Sequence, residues 1–258
     1  MITDPPVLVD AGGPVARLTL NRPSRRNALD GELAPALVSA IQEASAHSST
    51  RVIILTGAGS AFCAGADLAG LARDAATGDS GLTGSHFARV EPVYRALIGT
   101  PQPTIAMING FALAGGCGIA TACDIAIASE SAELGYPEVH LGLAPAMVMV
   151  LLFRLVGFRA GLELALSGRR IPASEAATLG LINRAVPSGE LEPTVLRTAE
   201  ALLGHSGTAL ATIKRAAWSL PDLDISRGLS AARDLSTLCA LSPEAVTGMQ
   251  AFLARSNH

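Results

Sequence analysis

Residues 102–123 carry no charged side chain, a run long enough in principle to cross a bilayer. Its internal order points elsewhere. Thr104-Ile105-Ala106-Met107-Ile108 reads as a buried strand, and the segment from Asn109 to Gly118 is a turn with glycines at 110, 115, 116 and 118. Ile119-Ala120-Thr121-Ala122-Cys123-Asp124 then reads as a short packed helix. A strand that passes through a glycine turn into a helix leaves unsatisfied backbone N–H groups at the helix start. Such groups hold a negatively charged oxygen, either of a bound phosphate or of a carbonyl that gains charge during a reaction. A membrane-spanning reading is rejected on this internal order, and the second apolar run, 141–153, is too short to span.

The composition supports a packed enzyme-sized core. Hydrophobic residues make up 49% of 258 and charged residues 16%, so some apolar surface is expected to be covered by another subunit. With only six Phe, two Tyr and one Trp, the core must be filled by Ala, Val, Leu and Ile. A formal net charge of −3 and the lack of a long basic run argue against nucleic acid or an anionic membrane as partner. Cys63, Cys117, Cys123 and Cys239 have neither metal-type spacing nor the pattern of a disulfide framework. They read as small buried hydrophobes in a reducing, cytoplasmic setting. The start Met1-Ile2-Thr3-Asp4-Pro5-Pro6 lacks the features of a signal peptide.

Along the chain, strand-like and helix-like segments alternate in the first half. Val15–Leu20 alternates as a strand, and Asp30 is a candidate cap for a helix over Gly31–Ala46 that buries Leu33, Leu37, Ile41 and Ala44. Arg51–Leu55 reads as a strand followed by a turn over 56–60, and Gly70–Ser85 as a mobile surface loop. A helix over His86–Ile98 contains Pro92, a potential kink. Asp124–Ala128 is a further strand, 135–143 mixes strand and turn, and the chain from Pro145 is helical apart from a strand at 181–186. Helices are expected at 191–204, 208–219, 223–239 and 243–254. This order predicts an α/β core with a helical tail.

Two glycine-rich segments follow strands and are placed to open helices: Phe62-Cys63-Ala64-Gly65-Ala66-Asp67-Leu68 and the turn around Gly115. Side by side, the N–H groups of Ala66 and Gly115 could grip one oxygen, and the small side chains would admit a substrate close to the backbone. The alternative is a pair of tight turns imposed by packing. A phosphate loop needs a Lys and a Ser or Thr after its glycines, which neither segment has, and no G-x-S-x-G or H-E-x-x-H occurs. Glu138, a lone carboxylate in Gly135-Tyr136-Pro137-Glu138-Val139-His140-Leu141, is the candidate acid/base, because burial would raise its pKa into a useful range; the alternative is a solvated turn glutamate. His140 would share its face in a strand and reads as a rim residue. Asp67 is a candidate helix cap, and Asp124 is expected to tie down the start of a strand.

Taken together, these segments resemble the enoyl-CoA hydratase/isomerase (crotonase) superfamily. Asn21-Arg22-Pro23, Asn27-Ala28-Leu29, Ala64-Gly65-Ala66-Asp67-Leu68, Gly110 through Asp124, and Pro137-Glu138-Val139-His140-Leu141-Gly142-Leu143-Ala144-Pro145 stand in the family's order and spacing. Leu166-Ser167-Gly168, the segment 176–183 and Gly248-Met249-Gln250-Ala251-Phe252-Leu253 extend the likeness over nearly the whole chain. The resemblance implies a right-handed ββα spiral over 1–190, with a C-terminal helical region over 191–258 that forms trimers or pairs of trimers. It implies an acyl-CoA thioester as substrate, with its oxygen between the N–H groups of Ala66 and Gly115 and Glu138 as acid/base. Arg25, Arg26, Ala28, Ala64, Asp67 and Leu68 would line the coenzyme A groove. No metal or separate cofactor is implied, since coenzyme A is part of the substrate.

The departures bear on the reaction. Two-glutamate hydratases of the family carry a first glutamate where this chain has Gly118, and a second where it has Glu138. A lone carboxylate is similar to the arrangement in Δ3,Δ2-enoyl-CoA isomerases, and also to hydratase-like members of the methylglutaconyl and carboxygeranoyl type that have glycine there. Ala146 stands where dienoyl-CoA isomerases and hydroxyisobutyryl-CoA hydrolases carry Asp, and the run 146–152 is more apolar than is common. Hydration and isomerisation both remain open. The competing class is a non-catalytic acyl-CoA-binding or scaffold protein that lost the carboxylate at 118. Nothing in its position favours Glu91 as a replacement.

Overall fold

The computed structural model describes residues 4–256, so Met1–Thr3 of the N-terminal segment read above lie outside it. Strand β1 (Val7–Asp10) pairs antiparallel with β2 (Val15–Leu20). Helix α1 (Leu33–Ala46) then carries the chain to β3 (Val52–Gly57), parallel to β2. Leu33, Leu37, Ile41 and Ala44 are buried along one face of α1, the stripe expected of the 3.6-residue period. The side chain of Asp30 accepts from the N–H groups of Glu32 and Leu33 at 2.9 and 2.8 Å, so it caps the helix entry from just outside it.

From β3 onward one unit recurs: a strand in a large sheet, a short strand in a second sheet, then helix. The first comprises β3, β4 (Ala61–Cys63), α2 (Leu68–Ala75) and α3 (Ser80–Gly99). The second comprises β5 (Thr104–Ile108), β6 (Phe111–Leu113) and α4 (Gly115–Ala122). The third comprises β7 (Ile125–Ser129), β8 (Glu133–Gly135), a 3-10 turn over Pro137–Leu141 and α5 (Ala146–Ser167). Gly157 breaks α5 with φ of 77°. β9 (Arg170–Pro172), α6 (Ala173–Thr178) and β10 (Arg184–Val186) complete the sheets, in orders β1-β2-β3-β5-β7-β10 and β4-β6-β8-β9. The tail is helical: α7 (Leu191–Leu203), α8 (Gly207–Ser219), α9 (Ile225–Ala240) and α10 (Pro243–Ser256). The fold is therefore mixed α/β, as the strand–helix alternation predicted, with the ββα repeat that the resemblance implied.

β3 is buried on both faces, which suits a parallel central strand. Ile53 and Leu55 enter the main core, while Val52 and Ile54 pack with Ile105, Met107 and Ile127 against Leu191, Val195 and Ala199 of α7. Each large apolar side chain contributes about 1.5–3 kcal/mol on burial, so apolar packing holds α7 to the sheet.

Several local expectations are corrected. Most of Gly70–Ser85 is helix: α2 runs to Ala75 and α3 begins at Ser80. The reason is a cap, since the side chain of Asp79 accepts from the N–H groups of Gly81 and Leu82 at 2.7 and 3.1 Å, which offsets the poor helix propensity of Gly, Ser and Thr. Pro92 lies on the exposed side of α3, where water can take the carbonyl it leaves unpaired. Within the charge-free run, 111–113 is a strand and α4 begins at Gly115 rather than at Ile119. Among the described residues no helix is long and apolar enough to cross a membrane.

Candidate active site

The first glycine-rich segment leaves β4 and pairs with Leu29. The Leu29 N–H donates to the Gly65 carbonyl at 2.7 Å, and the Asp67 N–H donates to the Leu29 carbonyl at 3.2 Å. These bonds bracket Ala66, the bridge partner of Leu29, so the Ala66 N–H points away from that pairing. The second segment leaves β6, where the Ala114 N–H donates to the Gly135 carbonyl at 2.8 Å. Ala114 adopts φ 51° and ψ −128°, a sparsely populated conformation for a residue with a Cβ. That turn sets Gly115 at the first position of α4, where its N–H has no intrahelical acceptor. Among the described residues, neither the Ala66 nor the Gly115 N–H finds an acceptor in the protein.

The two segments are in contact, and glycine permits it. Gly65 has φ 95°, and a Cβ there would lie 2.7 Å from the Ala114 Cβ and 3.2 Å from the Gly115 nitrogen. A Cβ on Gly116 would meet the Cys63 carbonyl oxygen at 2.1 Å. Larger side chains at 65 or 116 would drive the segments apart.

Glu138 sits in the 3-10 turn. Pro137 presets its start, and Gly142, at φ 72°, closes it by donating to the carbonyls of Glu138 and Val139. The side chain is half-buried, and its Oε2 is fully buried without a hydrogen-bond partner. Burial pushes its carboxyl above the usual range, an effect partly offset by its own backbone N–H. Glu138, Ala66 and Gly115 all line one cavity of about 340 Å³. The remaining wall is mainly apolar, with Leu29, Leu71, Val90, Leu143, Met147 and Val148 among its members. One cavity wall thus brings together two residues whose N–H groups lack a protein acceptor and one carboxyl with a raised pKa.

Of the other residues singled out, Ala64 and Leu68 line the cavity, whereas Arg25, Arg26, Ala28 and Asp67 do not. Arg25 is exposed and pairs with Asp30 at 3.4 Å. Arg26 is exposed, with φ 52°, and its carbonyl accepts from the Ala64 N–H at 3.0 Å. Asp67 occupies the cap position of α2, but its side chain makes no capping hydrogen bond; the backbone carbonyl accepts from Leu71 instead. His140 is not on the face of Glu138, because the segment is a 3-10 turn rather than a strand; its Nε2 lies 3.1 Å from the Gly168 carbonyl oxygen. Glu91 is exposed and paired with Arg95.

Known proteins match the chain over nearly its whole length. The family model for enoyl-CoA hydratase/isomerase covers residues 10–257. The chain belongs to the enoyl-CoA hydratase/isomerase family. It is 35% identical over 243 residues to the 2,3-dehydroadipyl-CoA hydratase of Escherichia coli, covering 93% of this chain and 92% of that protein. A crystal structure of an enoyl-CoA hydratase of Mycobacterium smegmatis superposes with a TM-score of 0.92 at 31% identity, covering 98% of this chain and 97% of the other. A monofunctional enoyl-CoA isomerase of M. smegmatis superposes with a TM-score of 0.74 at 32% identity, covering 86% and 97%. As a family member, the chain is an enzyme of the lyase/isomerase type.

Against that family, the surroundings of Gly118 are informative. Its N–H donates to the Ala114 carbonyl one turn back, at 3.1 Å. A Cβ there would lie 2.4 Å from Val148 Cγ1, 2.8 Å from the Tyr94 hydroxyl oxygen and 3.0 Å from Tyr94 Cζ. The glutamate of the two-carboxylate members is thus absent, and the room it would need is filled. Tyr94 and Val148 both line the cavity. Val148 belongs to the apolar run 146–152 that the family resemblance placed in the acyl pocket wall, whereas sequence reasoning missed Tyr94. The available signal was the face of α3 on which Val90, Val93, Tyr94 and Leu97 are buried; a tyrosine on such a stripe reads as core. His86, also in the cavity wall, binds Asp74 at 2.7 Å and ties α3 to α2.

Proposed function

We propose that this enzyme acts on enoyl-CoA thioesters through an enolate, with the thioester oxygen at the N–H groups of Ala66 and Gly115 and Glu138 as the sole carboxylate that moves the proton. The observation that carries the reading is the buried, unpartnered Oε2 of Glu138 in the same cavity as two unsatisfied N–H groups. A native fold seldom leaves such atoms without partners except where a ligand supplies them. Each N–H aimed at a developing oxyanion is typically worth about 3 kcal/mol of barrier.

With one carboxylate, isomerisation of a 3-enoyl ester needs no other group. Glu138 takes a proton from C2, the electrons spread to the thioester oxygen, and the same carboxyl returns the proton to C4. Hydration needs in addition a place for water, and the names of the hydratase relatives favour that second reading. The exposed Ile225, Leu229, Leu238 and Leu241 of the C-terminal helical region suit packing into a trimer.

Purified protein incubated separately with a 2-enoyl-CoA and the matching 3-enoyl-CoA, with products followed by mass, tests the reading. Conversion of the 3-enoyl ester without change of mass, or addition of water to the 2-enoyl ester, is the expected result. Binding of both esters without conversion would instead support an acyl-CoA-binding protein.

A further inference from the structure

We propose that the Tyr94 hydroxyl holds the attacking water for hydration, taking over the positional role of the glutamate that Gly118 replaces. This rests on the enolate reading above and adds hydration to what the single-carboxylate site can do.

Three observations carry it. The Tyr94 oxygen lies 2.8 Å from the point where a side chain at 118 would leave the backbone, and 3.3 Å from the corresponding point at Gly115. It therefore stands beside the first turn of α4, where the oxyanion-binding N–H is presented. Its proton is committed, because the hydroxyl donates to the Gly115 carbonyl at 3.1 Å; the oxygen lone pairs are left to accept from a water molecule. Finally, Tyr94 lines the cavity together with Glu138. Burial, reinforced by Cys63, Glu138 and Cys117 nearby, pushes the phenol pKa far upward, so Tyr94 stays neutral and acts as an acceptor, not as a base.

The step balances without any co-reactant. Water donates one hydrogen bond to Tyr94 and one to Glu138. As its oxygen bonds to C3 of the 2-enoyl ester, the proton facing Glu138 passes to that carboxylate, and the C2–C3 π electrons move to the thioester oxygen. The protonated Glu138 then returns a proton to C2 as the carbonyl reforms. One water is added, and Tyr94 is unchanged.

Tyr94→Phe is the test, because it keeps the ring that fills the room beside Gly118. Hydration kcat should fall by about 10–100-fold, the loss expected of one hydrogen bond in a dry site. Losing the bond to the Gly115 carbonyl should lower Tm modestly and slow isomerisation by no more than a few-fold, so the ratio of hydration to isomerisation is what falls. An equal fall in both reactions, or a variant that hydrates as well as wild type, would overturn the proposal. So would a wild-type enzyme that isomerises 3-enoyl esters but never adds water, which leaves the enolate reading standing. Wild-type inactivity towards both esters would overturn that reading as well.

Discussion

Two carboxylates flank α4, and their treatment differs. Asp124, just beyond its C-terminal end, is saturated with partners. Its Oδ2 accepts from the Thr104 N–H at 2.7 Å and the Thr104 hydroxyl at 2.9 Å, and pairs with Lys214 Nζ at 2.7 Å. Lys214 in turn donates to the carbonyls of Leu97 and Gln102 at 2.8 and 3.0 Å. Glu138, packed near the other end, keeps a buried oxygen with no partner. The first carboxylate spends its hydrogen-bonding capacity on tying α8 to the end of α3 and the start of β5, while the second keeps its capacity free for a ligand.

Breaking each centre should therefore have opposite consequences. Glu138→Gln should lower turnover of enoyl-CoA esters by about 10²–10⁴-fold, the usual worth of a positioned acid/base, and retained turnover would remove Glu138 from the mechanism. In the wild type, the acid limb of kcat/KM should lie above the ordinary carboxylate range, because burial raises this pKa. The same shift has a stability sign. A carboxyl with a raised folded-state pKa contributes stability below its unfolded value and loses it as pH rises through the folded one. Glu138→Gln should hence raise Tm at neutral pH, and the gain should vanish in acid.

Asp124→Ala should do the reverse. Leaving Lys214 buried without its counter-charge costs about 3–5 kcal/mol, readable as a lowered denaturant midpoint, while turnover per folded molecule stays near wild type. A variant with unchanged stability would show that the Lys214 carbonyl contacts suffice.

Gly118→Glu sharpens the contrast from the site itself. If only a carboxylate were missing, this change would increase hydration. Because Val148 and Tyr94 occupy the space, the expected result is a loss of about 1–3 kcal/mol of stability from overpacking and no gain in hydration. The smallest effect belongs to Ala114→Gly. Relief of the positive φ should stabilise the fold by about 1 kcal/mol, and a lowered Tm would mean that the backbone there is not strained.

Periodicity made some of this legible in advance. Val15–Leu20 as a strand, the buried stripe of α1 and the four tail helices follow from 2-residue and 3.6-residue patterns long enough to average out exceptions. The strands β4, β6, β8 and β9 are three residues each, too short to display a period. The start of α3 was hidden because Gly, Ser and Thr argue against helix one residue at a time, whereas the Asp79 cap acts on the whole turn. At the site, Glu138, Ala66 and Gly115 stood out as a lone carboxylate and two glycine-rich turns. Asn27 gave no such signal. It is fully buried, and its amide nitrogen donates to the carbonyls of Ala58, Ala61 and Phe62 while its oxygen accepts from the Arg22 N–H, so it moors the loop that leads to Leu29.

Local chain chemistry alone determined the strand–helix alternation of the first half and the glycines that let two turns touch, because each depends on the backbone freedom or side chains of residues near in sequence. The second strand of each repeat and the missing carboxylate at 118 were implied only by the family resemblance. What occupies the space beside Gly118 was decided only by tertiary packing. Tyr94 comes from α3 and Val148 from α5, and neither carries a local sign of meeting α4. Their contact arises when the helices of three successive repeats close over the same core, and burial there makes a tyrosine from a hydrophobic stripe into a wall of the cavity.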